Sequence, residues 1–217
     1  MYARWKNRSG RWTKLFIMIK AFEVSCPILK DVFPEHKTLK NSLYDKIKNT
    51  KDVGWFNHKD NYNDRIHRTD WPIADNFKRE WVKELIQPLY NQLNKFALTL
   101  GYTNVIINKV WYQTYKNNHI HNWHTHHSNF TGVYYLKMPT INTSTYTQFL
   151  YPSSLENAFS IEVQEGDMVF FPSHFIHRSP ALQSKEDEEK VIISWNLDFN
   201  RVDAKYTKDK TSKVILS

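Results

Sequence analysis

The sequence predicts an all-β barrel or jelly roll with a helical buttress, and three observations predict it. After Gly101 the apolar residues alternate with period two through six short segments. Before it, one long segment repeats apolar residues at helical spacing. Nowhere does the chain show the strand–helix rhythm of a parallel α/β sheet.

Taken in order, residues 1–20 are basic and aromatic and read as a loosely attached arm. "PILKDVFPEHKTLKNSLYDKIKN" (27–49) suggests an edge strand followed by a helix, and the polar stretch 57–72 reads as loop. Asp75 is placed to cap a helix over roughly 76–100, whose Phe77, Trp81, Leu85, Ile86, Leu89, Leu93 and Phe96 fall on one face. Pro88 should kink this helix and Gly101 should end it. The predicted strands are 105–115, 130–139, 147–152, 158–163, 167–173 and 190–199, with "EGD" (165–167) as a turn.

At 217 residues the chain fits a single domain, and a composition with 15% aromatic residues and only 5 glycines suits strands and ring-filled cores. One cysteine, Cys26, excludes an internal disulfide framework and a cysteine-built zinc site, so any metal must use His, Asp or Glu. The apolar run "LFIMIKAF" (15–22) is broken by Lys20 and is too short to span a bilayer. A cytoplasmic protein is expected. The net charge of +8 attracts polyanions in general, which makes nucleic acid a conceivable partner. No nucleic-acid motif accompanies it, so a solvated lysine-rich surface is the favoured reading.

"HNWHTHHS" (121–128) concentrates four of the ten histidines. On a regular strand His124 and His126 share a face and His127 points away. A third imidazole could come from "FPSHFIHRSP" (171–180), which offers His174 and His177. Three imidazoles would grip one side of a metal and leave the other side open. His-x-His alone is weak evidence, because a histidine-rich chain yields it by chance. His36, His58 and His67 belong to no constellation. His119 and His121 could line the entrance of such a site, though a solvated loop is the favoured reading, and "EDEE" (186–189) reads as a charged hairpin tip.

Together "HTHHSNFTGVYYLKMP", "EGDMVFFPSHFIH" and "EEKVIISWNLDF" resemble the 2-oxoglutarate- and iron(II)-dependent oxygenases, most closely a phage and bacterial branch. The resemblance covers residues 105–199 and implies a cupin-like double-stranded β-helix with iron at its open end. It implies His124, His126 and His177 as metal ligands. Lys190 falls where the family keeps a basic residue for the far carboxylate of 2-oxoglutarate. Tyr135 and Tyr115 resemble tyrosines that contact this cosubstrate. Ser194 and Asn196 share the Lys190 face of the last strand and could support the cosubstrate or a metal-bound water. No side chain beyond the metal centre is expected to be catalytic.

Two positions depart from the wider pattern. His126 stands where most relatives carry Asp or Glu, and Lys190 replaces a bidentate Arg with a point charge. The resemblance implies an enzyme that couples oxidative decarboxylation of 2-oxoglutarate to hydroxylation of a substrate the sequence does not identify. The rival expectations are a jelly-roll module that only binds a metal or ligand, and a basic nucleic-acid-binding protein.

Overall fold

The computed structural model describes residues 3–6, 12–15, 26–50, 64–140, 146–151, 154–185 and 187–202. Of the expected basic arm, β1 (Ala3–Lys6) and β2 (Trp12–Leu15) pair as an antiparallel hairpin; its other residues lie outside the described ones. So do His58 and the basic tail 205–213.

The strands form two facing sheets. One runs β3 (Leu29–Val32), β10 (Asp167–Pro172), β7 (Phe130–Lys137), β12 (Lys190–Val202), β5 (Tyr102–Tyr115), β4 (Arg68–Thr69). The other runs β6 (His121–His124), β11 (His177–Ser179), β8 (Gln148–Tyr151), β9 (Ser154–Ser160). From β5 onward successive strands alternate between the sheets, except for β8 and β9, which pair as a hairpin in the small one, and every pairing is antiparallel. This is the double-stranded β-helix.

Alternation along the large sheet separates two interiors. On its outer face Tyr134, Leu136, Phe170, Ile193, Trp195 and Leu197 pack against helix α1 (His36–Asn49) and helix α2 (Glu80–Thr99). On its inner face Tyr115, Val133, Tyr135, Val169, Phe171 and Ile192 fill the space between the sheets with Phe149 of β8. Gly132 is obligatory where β7 pairs with Trp195 of β12. A Cβ there would overlap the Trp195 indole and lie 2.5 Å from the Val169 carbonyl oxygen.

Helix α2 starts at Glu80, four residues later than the sequence suggests, and Asp75 does not cap it. The reason is tertiary. Asp70 is fully buried, pairs with the Arg79 guanidinium, and accepts the Trp81 indole N–H (3.0 Å) and the Tyr112 N–H (2.9 Å). Those bonds hold 70–79 as a 3₁₀ turn (Trp71–Ile73) and a loop against β5. Pro88 lies inside the helix, and Gly101 follows its end at φ 87°. The segment read as loop contributes β4, which adds to the β5 edge. No helix among the described residues is long and apolar enough to cross a membrane.

Candidate metal centre and its pocket

Strand β6 ends at His124, so His126 is not on a strand and the expected shared-face geometry does not apply. His126 reaches the site from the following loop. Its N–H donates to the Ser173 carbonyl (3.0 Å), and Ser128 and Ser173 share a hydroxyl bond of 2.7 Å, which pins the loop to the end of β10. His177 lies directly opposite His124 in the β6–β11 pair.

The three rings converge: one nitrogen from each of His124, His126 and His177 lies within 4.8 Å of the others. The His126 and His177 Nε2 atoms are 3.3 Å apart. Two imidazoles bound at about 2.0–2.1 Å to one metal have nitrogens about 2.8–3.0 Å apart at a right angle and about 3.3–3.4 Å apart at the tetrahedral angle, so the separation suits a shared metal. The tautomers suit ligation as well. His124 Nδ1–H donates to the Asn122 carbonyl (2.6 Å) and His177 Nδ1–H to the Phe175 carbonyl (2.8 Å), which leaves both Nε2 lone pairs facing inward. Burial, followed by repulsion from neighbouring imidazoles, pushes His126 down to about 3 and His177 well below the ordinary range. Neutral imidazole is the ligating form. The donor set therefore fits a divalent metal. His174 is exposed and stands apart from the cluster.

A fourth histidine, for which the sequence favours a solvated loop over the entrance of the site, lines the pocket. His121 stacks on His124 with ring centroids 3.9 Å apart. The β6–β11 register explains it: Ser179 pairs with His121 and His177 with His124, so three steps on β6 oppose two on β11. Such a bulge turns both ends of the interval inward. The Tyr115 hydroxyl donates to Gln113 Oε1 (3.1 Å), and Gln113 Nε2 donates to His121 Nδ1 (3.3 Å). His121 Nε2–H is then directed to Asp64, 3.9 Å away.

Lys190 is 1% exposed, as a residue at the inner end of β12 should be. Its ammonium donates to the Ser179 hydroxyl and lies 4.5 Å from the centre of the Tyr115 ring. Burial brings it down to about 7. The Tyr135 hydroxyl bonds the Thr147 hydroxyl at 2.7 Å. Tyr115 and Ser194 line the same pocket as the histidines, together with Gln113, Trp111 and Thr147. Asn196 sits one step farther along the same face of β12. With the side chains as they stand the pocket encloses about 30 Å³, room for a water or two. A dicarboxylate therefore enters only as lining side chains give way.

No protein-family model matches the chain, and no curated protein sequence matches it. Solved structures do. A prolyl-4-hydroxylase from Pseudomonas putida aligns at TM-score 0.54 and 14% identity, over 82% of this chain and 94% of that one. HygX from Streptomyces hygroscopicus, with nickel and 2-oxoglutarate bound, aligns at 0.56 and 9%, over 78% and 82%. A prolyl hydroxylase from Trichoplax adhaerens, in complex with a hypoxia-inducible-factor oxygen degradation domain peptide, aligns at 0.51 and 17%, over 82% and 84%. At these identities the likeness is one of fold: the chain has the double-stranded β-helix of structures that are 2-oxoglutarate oxygenases.

Proposed function

We propose that the protein is a 2-oxoglutarate- and iron(II)-dependent oxygenase of the H-x-H branch, which hydroxylates a substrate at an unactivated C–H bond. The observation that carries this reading is the coincidence of three converging neutral imidazoles with a buried ammonium whose neighbours, Ser179 and Tyr115, line the histidines' pocket. A pocket for metal alone has no use for Lys190. A pocket for a chelating dicarboxylate needs a cation for the far carboxylate, whose charge would otherwise be too costly to desolvate.

His124, His126 and His177 would hold the metal, and bound iron(II) would supply the oxygen chemistry: 2-oxoglutarate, O₂ and R–H become succinate, CO₂ and R–OH. Lys190, with Ser179 and Tyr115 around its ammonium, would bind the far carboxylate. Ser194 lines the same pocket as the histidines. Tyr135 supports the pocket through Thr147, which lines it. The inner wall of Phe171, Val133 and Ile192 keeps water from the reacting groups.

Anaerobic titration tests this. Adding 2-oxoglutarate to the iron(II)-loaded protein should produce the visible charge-transfer band of a chelated cosubstrate, and His177→Ala should abolish it. Iron uptake without such a band would leave only a metal-binding module.

A further inference from the structure

We propose that Lys109 and Asn196 form a subsite for the primary substrate, and that this substrate is an anionic amide: its N–H donates to Asn196 and its carboxylate or phosphonate-type anion pairs with Lys109. The inference rests on the oxygenase reading of the neighbouring histidines.

The placement follows from register. On β5, Lys109 precedes Trp111, Gln113 and Tyr115 on one face; on β12, Asn196 follows Lys190, Ile192 and Ser194 on the same face. Lys109 pairs directly with Asn196, which pairs on its other side with Thr131 of β7. This rung lies one step beyond Trp111 and Ser194. Trp111 packs on the His126 ring at 5.6 Å, so the rung sits immediately outside the metal centre, on the side away from Lys190.

The chemistry of the rung is unfinished. Asn196 is 7% exposed, and its Oδ1 is buried with no hydrogen-bond partner among the described residues. Buried acceptors of that kind are rare in folded proteins and costly to leave unmade. Thr131 does not satisfy it, because the Thr131 hydroxyl donates to the Trp195 carbonyl (2.7 Å). Among the described residues Lys109 makes no ion pair; its ammonium lies 4.6 Å from the Trp71 ring centre. The Asp198 carboxylate is already taken up by Asn108 Nδ2 (2.7 Å) and the Asn129 N–H (2.8 Å). Trp71 and Trp111, edge to face at 4.5 Å, wall the subsite with apolar surface. An acceptor, a cation and two indoles beside the metal select a molecule with a donor, an anion and an apolar part between them.

Four small probes separate these features. N-acetylglycine and N-acetylaminomethylphosphonate carry both donor and anion; N-acetylsarcosine lacks the N–H; N-acetylglycinamide lacks the charge. Binding is read as paramagnetic broadening of the acetyl methyl resonance by the manganese(II)-loaded protein with 2-oxoglutarate present. One or both of the first two should bind about tenfold more tightly than the last two, the scale of one lost charge-assisted hydrogen bond for the neutral amide and of one buried acceptor left unpaired for the N-methyl compound. The tighter of them identifies the anion. Lys109→Gln should remove the preference over the neutral amide alone, and Asn196→Ala, or Asn196→Ser, the preference over the N-methyl compound alone. Both Asn196 variants should melt no lower than the native protein, since no protein partner of Oδ1 is lost. Probes that bind alike, fail to bind, or keep both preferences in the variants overturn the subsite. A protein that takes up no manganese at the histidines overturns the oxygenase reading instead, and this inference with it.

Discussion

Lys190 carries the most information of any single side chain. Its ammonium is buried against Ser179 and Tyr115, and burial holds it near 7. A dianion bound at that spot stabilises the charged form and raises the value. The sign is then fixed: between about 7 and the complex's higher value, binding takes up a proton, and affinity falls as pH rises through that window. Calorimetry at pH 8 in two buffers of different ionisation enthalpy should show this uptake. In Lys190→Ala the affinity for 2-oxoglutarate should drop at least about a hundredfold, the scale of a lost charged hydrogen bond in a buried site, with metal affinity nearly unchanged. Equal cosubstrate affinity in the two proteins would remove the anchor role. At this scale the sequence was partly legible. The spacing of His124, His126 and His177 is written in the chain, and all three meet in space. His121 was not legible, because its inward turn depends on a bulge against Ser179 that no period-two pattern encodes.

Two elements owe their geometry to contacts that local pattern does not reveal. Strand β7 reads plainly as a strand, but Gly132 is there because Trp195 and the Val169 carbonyl crowd its α-carbon. Gly132→Ala should destabilise the protein by about 1–3 kcal/mol, the cost of overpacking a core, as measured by urea unfolding. An unchanged midpoint would mean the β7–β12 pairing is looser than the structure shows. Helix α2 was recognisable from its apolar spacing, yet its start was not, since Asp70 and Arg79 fold the preceding turn from outside the helix. Arg79 also donates to the Asn76 (2.7 Å) and Val110 (2.5 Å) carbonyls. Arg79→Ala leaves the buried Asp70 carboxyl without its counter-ion and should cost about 3–5 kcal/mol. Replacing both members by Asp70→Asn and Arg79→Met should cost less than Arg79→Ala alone. A double variant no more stable than the single one would argue against an uncompensated charge as the cause.

The whole molecule divides its labour between the two faces of one sheet. The outer face, covered by α1 and α2, supplies the bulk of the apolar core, and the inner face can therefore give space to His124, His126, His177, Lys190 and Asn196. Along β12 that division was legible in the sequence, since Val191, Ile193, Trp195 and Leu197 interleave with Lys190, Ile192, Ser194 and Asn196. The pairing of β6 with β11, which brings the histidines together, is a long-range contact between short strands and carries little local signal. The central claim is that these imidazoles are one metal site. Crystals grown with manganese(II) and measured for anomalous scattering test it most directly. The account predicts a single peak about 2.0–2.2 Å from one nitrogen each of His124, His126 and His177, whereas a peak that omits any of the three, or that is held by His121 or His174 instead, would contradict it.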